Sequence, residues 1–192
     1  GGHAGARIID DGVGGVEFRP DHGKFVALDL AGVERCGGVA GSLDGLPGCL
    51  SALSEGGWAE AAHGIMTTDT LPKGSSRRVD IGGKTITVTG IAKGAGMICP
   101  NMATLLAFIA TDAAVAPAIL RQCLGAAADE SFNRISVDGD TSTNDSLILA
   151  ATGQGPEPGR KDLTVLEGAI TDVAERLAQA IGDAGGSFGA ID

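Results

Sequence analysis

The chain has 192 residues, enough for one domain, and it is 43% apolar but only 3% aromatic, so its core has to be built from aliphatic side chains. The formal charge of −10 argues against nucleic acid as a partner, because no basic stripe is present to neutralise phosphates. No apolar run reaches the roughly 18 residues of a membrane span, and the four cysteines fit no zinc spacing. Since no secretory signal is visible, we expect a cytoplasmic protein with reduced thiols, no metal and no membrane partner.

The first part of the chain is rich in glycine and has no clear hydrophobic period. Two short runs, "ARIID" at 6–10 and "FVALDL" at 25–30, have the composition of strands. We expect mostly loops around them. The sequence therefore predicts a divergent Gly-rich segment over 1–53 and an ordered core over 54–192.

The core begins with a predicted helix and a predicted hairpin. "SEGGWAEAAHGI" at 54–65 has apolar residues at helical spacing behind Ser54, a candidate N-cap. Residues 66–76 contain Pro and Gly and are predicted to be a loop. In "RRVDIGGKTITVTGIAK" at 77–93, two alternating runs flank Gly-Gly, which predicts a hairpin with a two-residue turn.

The second half of the core alternates predicted strands and helices. The strands are expected at 105–111, 134–137 and 146–152, and the helices at 117–132 and 162–181. The run at 105–111 is continuously apolar, as in a strand covered on both faces. Thr164 and Glu167 have the spacing of a capping box for the last helix. Strands mixed with helices predict a layered α/β (α+β) domain, with sheets sandwiched between helices.

The stretch "KGAGMICPNMATLLAFIATDA" at 93–113 places a constrained Gly loop directly ahead of a Thr and a buried strand. A Thr hydroxyl is a poor nucleophile without a neighbouring base. If the chain is cut before Thr104, the new α-amino group can serve as that base. Small Ala103 would leave the peptide carbonyl accessible to the hydroxyl. On the residues alone, the simpler interpretation of Thr104 is an ordinary strand-start residue.

Three segments of the sequence resemble one family in order and spacing. They are "GIAKGAGMICPNMATLLAFIATDA", "GWAEAAHGIMTTDTLPK" and "SFNRISVDGDTSTNDSLILAATG", within residues 54–181. They closely resemble the bifunctional ornithine acetyltransferases, the self-processing glutamate N-acetyltransferases of arginine biosynthesis. The resemblance implies that family's fold, which is related to an aminopeptidase fold.

The resemblance also implies an activity and a set of residues. The chain would cut itself between Ala103 and Thr104, and Thr104 would carry acetyl from N-acetylornithine to glutamate. Lys93 matches a substrate-binding Lys, and Thr70 in "TTDT" matches a substrate-binding Thr. No cofactor is expected, although acetyl-CoA is an optional co-substrate. The cleaved α and β chains are expected to associate into a heterotetramer.

The sequence also departs from the family pattern. The family's oxyanion-hole loop has its nearest match in "DDGVGG" at 10–15, which makes Gly12 the catalytic candidate and puts Asp11 beside it. A carboxylate there would repel a developing oxyanion. The family's Glu after the long helix is missing, since "GDAGG" keeps only Asp183. These departures favour a second interpretation, a shortened relative that folds but does not transfer acetyl.

Two further interpretations involve other chemistry. Asp138 and Asp140 in "VDGDTST" follow a predicted strand, as in phosphatases of the haloacid-dehalogenase type, but no downstream acidic pair completes that pattern. Hydrogen bonding within a tight turn is the simpler role for these aspartates. An aminopeptidase would keep the Thr nucleophile and change the substrate. Lys93, which suits an amino-acid carboxylate, favours the acetyltransferase over the aminopeptidase.

Overall fold

The computed structural model describes residues 47–48, 51, 53–94, 105–135 and 146–183. In chain order the elements are helix α1 (Trp58–Gly64), strands β1 (Lys73–Ile81), β2 (Lys84–Lys93) and β3 (Leu106–Thr111), helix α2 (Pro117–Glu130), a 3₁₀ turn (Phe132–Arg134), strand β4 (Ser146–Ala151) and helix α3 (Arg160–Gly182). The strands predicted at 6–10 and 25–30 lie outside the described residues.

The strands form one four-stranded sheet in the order β1-β2-β3-β4. β1, β2 and β3 are antiparallel neighbours, whereas β3 and β4 are parallel. The predicted hairpin between β1 and β2 is confirmed. Gly82 and Gly83 have φ angles of 61° and 78°, which two-residue turns of type I′ require and which glycine adopts without steric cost.

Helices α2 and α3 cover one face of the sheet, and the main core lies between them. Apolar residues spaced three and four positions apart form a buried stripe along α3, which includes the fully buried Leu166, Ile170, Val173 and Leu177. They join Ile81, Ile86, Val88 and Ile109 from the sheet in one cluster. Aliphatic side chains thus build the core, as the low aromatic content predicts.

Helix α1 lies on the opposite face. Ala61, Ala62 and Ile65 of this segment pack against Ile91 of β2, with Phe108 of β3 at the margin. The sheet therefore has helices on both faces, which confirms the predicted layered α/β class. In the described part of the chain, no helix is both long enough and apolar enough to cross a membrane.

Two predicted boundaries near the start of the core are wrong. Helix α1 begins at Trp58 behind Gly57, and no side chain caps it, so Ser54 is not its N-cap. β1 begins at Lys73, inside the predicted loop 66–76. The pairing of β1 with β2 begins with Lys73 opposite Ala92. The backbone at the buried end of β2 needs a hydrogen-bonding partner, and the first residues of β1 provide it. Tertiary pairing here overrides the turn-like composition.

Two predictions in the second half also need correction. Arg134 belongs to the 3₁₀ turn rather than to a strand, and residues 136–137 of that predicted strand lie outside the described residues. Helix α3 begins at Arg160, where the Asp162 carboxylate accepts a hydrogen bond from the Gly159 amide at 3.3 Å. The predicted capping pair further along, Thr164 and Glu167, is therefore wrong. The strands and helices predicted at 105–111, 117–132 and 146–152 are confirmed within one or two residues.

Candidate active site

Lys93 is a buried lysine at one end of the sheet. It ends β2 and lies opposite Leu106, the first residue of β3. Only 8% of the residue is exposed, and lysine is rarely buried without a partner. Its Nζ donates a hydrogen bond to Thr67 Oγ1 at 3.1 Å. Because a hydroxyl does not neutralise an ammonium group, Lys93 keeps its attraction for a carboxylate at this end of the sheet.

Thr67, in the loop between α1 and β1, is therefore the threonine that contacts the candidate lysine. The sequence comparison within "TTDT" singles out Thr70, three residues further on. The structure places Thr70 at an exposed position of the same loop and assigns the hydrogen bond with Lys93 to Thr67. Thr70 stays a prediction as a substrate contact, while Thr67 joins Lys93 as an observed component of the site.

Asp69 fixes this loop against the sheet. Its Oδ1 accepts hydrogen bonds from Lys73 Nζ at 2.6 Å and from the Gly94 amide at 2.8 Å. Its Oδ2 accepts a longer one from the Thr67 amide at 3.4 Å. The side chains of Asp69 and Lys73 are 1% and 6% exposed, so this is a buried ion pair. The charge of Lys73 is thus matched within the protein.

The surroundings of Asp69 also shift its titration. Burial by itself would raise the pKa of the carboxyl. The hydrogen bond from Lys73, the Gly94 amide, the charge of Lys73 and the Thr67 amide together outweigh burial, and they hold the pKa of Asp69 below its ordinary value of 3.8. Asp69 is therefore a stable anion at neutral pH and a firm hydrogen-bond acceptor.

Leu105 fixes the chain on the other side of the site. Its carbonyl oxygen accepts a hydrogen bond from the Ser146 amide at 2.9 Å, and the residue is only 6% exposed. Leu105 follows Thr104 directly in the sequence. The residue after the candidate nucleophile is thus held by β4 and by the core.

Several predicted residues lie outside the described part of the chain. They are Gly12, Ala103, Thr104, Asp138 and Asp140. Their catalytic roles stay predictions, and so does the position of Asp11 at the oxyanion hole. Within the described ranges, no group of three or more His, Cys, Asp or Glu side chains is arranged to hold a metal ion.

Comparison with known families decides the relationship of this sequence. The model of the ArgJ family matches residues 39–191. The chain belongs to the ArgJ family. This confirms the resemblance seen in the three motif segments, and the match also includes the last part of the Gly-rich segment predicted to be divergent.

This ArgJ-family chain has a curated relative in Pseudomonas syringae pv. tomato (strain ATCC BAA-871 / DC3000), the arginine biosynthesis bifunctional protein ArgJ. The two are 53% identical over 141 residues, which is 71% of this chain and 35% of the relative. The chain thus spans about a third of the length of that relative.

Two solved structures are similar to this ArgJ-family chain at low sequence identity. The PH0078 protein from Pyrococcus horikoshii OT3 has a TM-score of 0.47 and 16% identity, over 71% of this chain and 47% of that one. The L-aminopeptidase D-Ala-esterase/amidase from Ochrobactrum anthropi has a TM-score of 0.43 and 13% identity, over 76% and 49%.

Three site residues were not singled out from the sequence, namely Thr67, Asp69 and Lys73. Asp69 and Lys73 stand four residues apart, in a segment with Pro and Gly that reads as a loop. Their role in the site depends on the hydrogen bond that the Gly94 amide donates to Asp69, and these two residues are 25 positions apart in the sequence. The available signal was a pair of opposite charges inside the motif segment "GWAEAAHGIMTTDTLPK".

Proposed function

We propose that this chain carries an acetyltransferase site of arginine biosynthesis, with Thr104 as the nucleophile. In this proposal the chain cuts itself between Ala103 and Thr104, and the new Thr104 carries acetyl from N-acetylornithine to glutamate. Membership of the ArgJ family supports the assignment, and so does the similarity to the Pseudomonas syringae relative, an arginine biosynthesis bifunctional protein.

The proposed chemistry uses one residue as both nucleophile and base. Thr104 Oγ attacks the acetyl carbonyl of N-acetylornithine while the α-amino group of Thr104 takes the hydroxyl proton. That proton passes to the leaving amine, so that ornithine departs and the acetyl group stays as an ester on Thr104. The α-amine of glutamate then attacks the ester, returns the proton to Thr104 Oγ and leaves as N-acetylglutamate.

The position of Lys93 is the single observation that carries the proposal. Leu106 lies opposite Lys93 across the antiparallel pair, and Leu106 comes two residues after Thr104 in the sequence. Among the described residues, the buried Lys93 ammonium donates its hydrogen bond to a neutral hydroxyl, and such a group is suited to a substrate carboxylate. Both N-acetylornithine and glutamate carry an α-carboxylate. In this proposal Lys93 holds that carboxylate while Thr104 reaches the acetyl group.

The test is acetyl transfer from N-acetylornithine to glutamate, measured for the wild-type chain, for Lys93→Met and for Lys84→Met. Lys84 is an exposed lysine beside the hairpin turn and serves as the matched control. Loss of a charged hydrogen bond predicts that Lys93→Met raises the KM for N-acetylornithine by about tenfold to a hundredfold. An unchanged KM in Lys93→Met would contradict the role of Lys93.

The same assay separates the acetyltransferase from the alternative of a relative that folds without transferring acetyl. Transfer by the wild-type chain that disappears in Thr104→Ala supports the enzyme. A folded wild-type chain without transfer supports the incomplete relative. The proposal includes acetyl-CoA as a co-substrate, which the same assay measures when acetyl-CoA replaces N-acetylornithine. It also includes association of the cleaved chains, 1–103 and 104–192, which the native mass measures.

A further inference from the structure

The Asp69 carboxylate connects three separate parts of the chain. Its ion pair with Lys73 holds the start of β1, and its hydrogen bond from the Thr67 amide holds the loop before β1. Its hydrogen bond from the Gly94 amide holds the residue directly after Lys93. A side chain that is 1% exposed and has donors from three segments fixes their relative positions.

Two of these hydrogen bonds flank the candidate lysine. Thr67 donates its amide to Asp69 and accepts the Lys93 ammonium on its hydroxyl, so the Lys93 side chain is linked to Asp69 through Thr67. Gly94 donates its amide to Asp69, so the Lys93 backbone is linked to Asp69 as well. The Asp69 carboxylate therefore holds both the side chain and the backbone of Lys93 in place.

The charge of Asp69 does not compete with a substrate at this site. Lys73 lies 2.6 Å from Asp69 Oδ1, and the two buried charges cancel each other locally. The ammonium of Lys93 is then the uncancelled charge of this cluster of Thr67, Asp69, Lys73 and Lys93. An anion approaching Lys93 meets a positive centre next to a neutral pair.

We propose that Asp69 is the positioning residue that orients Lys93 toward the α-carboxylate of the substrate, acting through Thr67 and Gly94. This inference rests on the proposed function, since it assumes that Lys93 binds that carboxylate. Asp69 does not touch the substrate in this scheme. Its loss should therefore weaken recognition of the carboxylate specifically, and not recognition of the rest of the ligand.

The experiment compares the affinities for glutamate and for its neutral α-carboxamide, measured by calorimetry on the full chain with Thr104 intact and without an acetyl donor, so that no transfer takes place. The wild-type preference for the acid over the amide is expected to be about tenfold to a hundredfold. In Asp69→Leu/Lys73→Met, an apolar pair of similar volume replaces the buried ion pair, so that folding is retained. This variant is expected to bind both ligands with nearly equal affinity, as is Lys93→Met.

The matched control is Arg77→Met/Asp172→Leu, which removes another ion pair of β1, formed with α3 at 2.5 Å. It is expected to keep the preference for the acid. A general loss of structure would lower the affinity for both ligands and leave their ratio unchanged. If Asp69→Leu/Lys73→Met does not fold, the isosteric Asp69→Asn serves in its place, with the same expected fall in the ratio.

Each result decides a different statement. A wild-type preference that collapses in the Asp69 variant and persists in the control supports the positioning role. A preference that persists in the Asp69 variant overturns the positioning role and leaves the proposed function standing. A wild-type chain with no preference for the acid overturns the assignment of Lys93, and with it the role of Asp69.

Discussion

Gly90, in the middle of β2, allows helix α3 to approach the sheet closely, and Gly90→Ala tests that packing. A Cβ at this position would lie 3.0 Å from Ile109 Cγ1, 3.0 Å from Val173 Cγ1 and 3.0 Å from Leu177 Cδ1. Carbon atoms pack best at about 3.5–4.0 Å, so all three neighbours have to move. Ile109 and Val173 are β-branched and stiff, and only the end of Leu177 moves easily.

The expected magnitude follows from two opposing effects. Overpacking of a close-packed core costs about 1–3 kcal/mol, and replacing a strand glycine returns about 0.5–1 kcal/mol. At the middle of these two ranges, about 2 kcal/mol of cost against about 0.75 kcal/mol of gain, Gly90→Ala should lower the free energy of unfolding by about 1 kcal/mol. At about 2–4 °C per kcal/mol for a chain of this size, the Tm should fall by about 2–5 °C.

The assay is thermal and urea unfolding followed by circular dichroism, with Gly168→Ala as the matched control. Gly168 is in the interior of α3, and a Cβ there would meet nothing within 4 Å. Alanine at this exposed helical position should stabilise the protein by about 1 kcal/mol. The close approach of α3 to the sheet is refuted if Gly90→Ala is as stable as the wild-type chain while Gly168→Ala behaves as expected.

Three further predictions concern the buried polar groups. Lys73→Met leaves the Asp69 charge buried without its cation and should cost about 3–5 kcal/mol in urea unfolding, while Lys84→Met at an exposed site should change stability by less than about 0.5 kcal/mol. Because the pKa of Asp69 is held below 3.8 in the folded chain, its stabilising effect is complete above that pH and is lost as the pH falls through the folded value. The free energy of unfolding should therefore fall more steeply below about pH 4 in the wild-type chain than in Asp69→Asn, and equal slopes would contradict this. Burial, with a smaller effect of Glu167, raises the pKa of the Cys123 thiol, so mass mapping after iodoacetamide treatment at pH 7 should show Cys123 unmodified in the folded chain and modified in urea.

The parts of the fold that follow from local pattern were predictable from the sequence. The stripe of α3 repeats over six turns, and the hairpin is specified by alternation around two glycines that need positive φ. The start of β1 was not predictable in the same way. Lys73 and Gly74 belong to a strand because β2 extends far enough to pair with them, and that length is a property of the partner strand.

In the candidate site, too, the residues within a local motif were predictable and the contacts set by the tertiary structure were not. Lys93 could be identified because it lies inside a long motif, at the position where the motif has a lysine. The role of Thr67 could not be identified, because three threonines in "TTDT" have the same chemistry and only the path of the loop selects one of them. The hydrogen bond between Gly94 and Asp69 joins residues 25 positions apart, and no local sequence pattern predicts it.

Self-cleavage at Ala103–Thr104 is the step on which the proposed chemistry depends, since it creates the α-amino base of Thr104. The decisive measurement is the intact mass of the freshly purified chain beside that of Thr104→Ala. Two fragments that correspond to residues 1–103 and 104–192, absent from Thr104→Ala, are expected. A single uncut mass of 19.0 kDa for the folded wild-type chain would contradict the proposal.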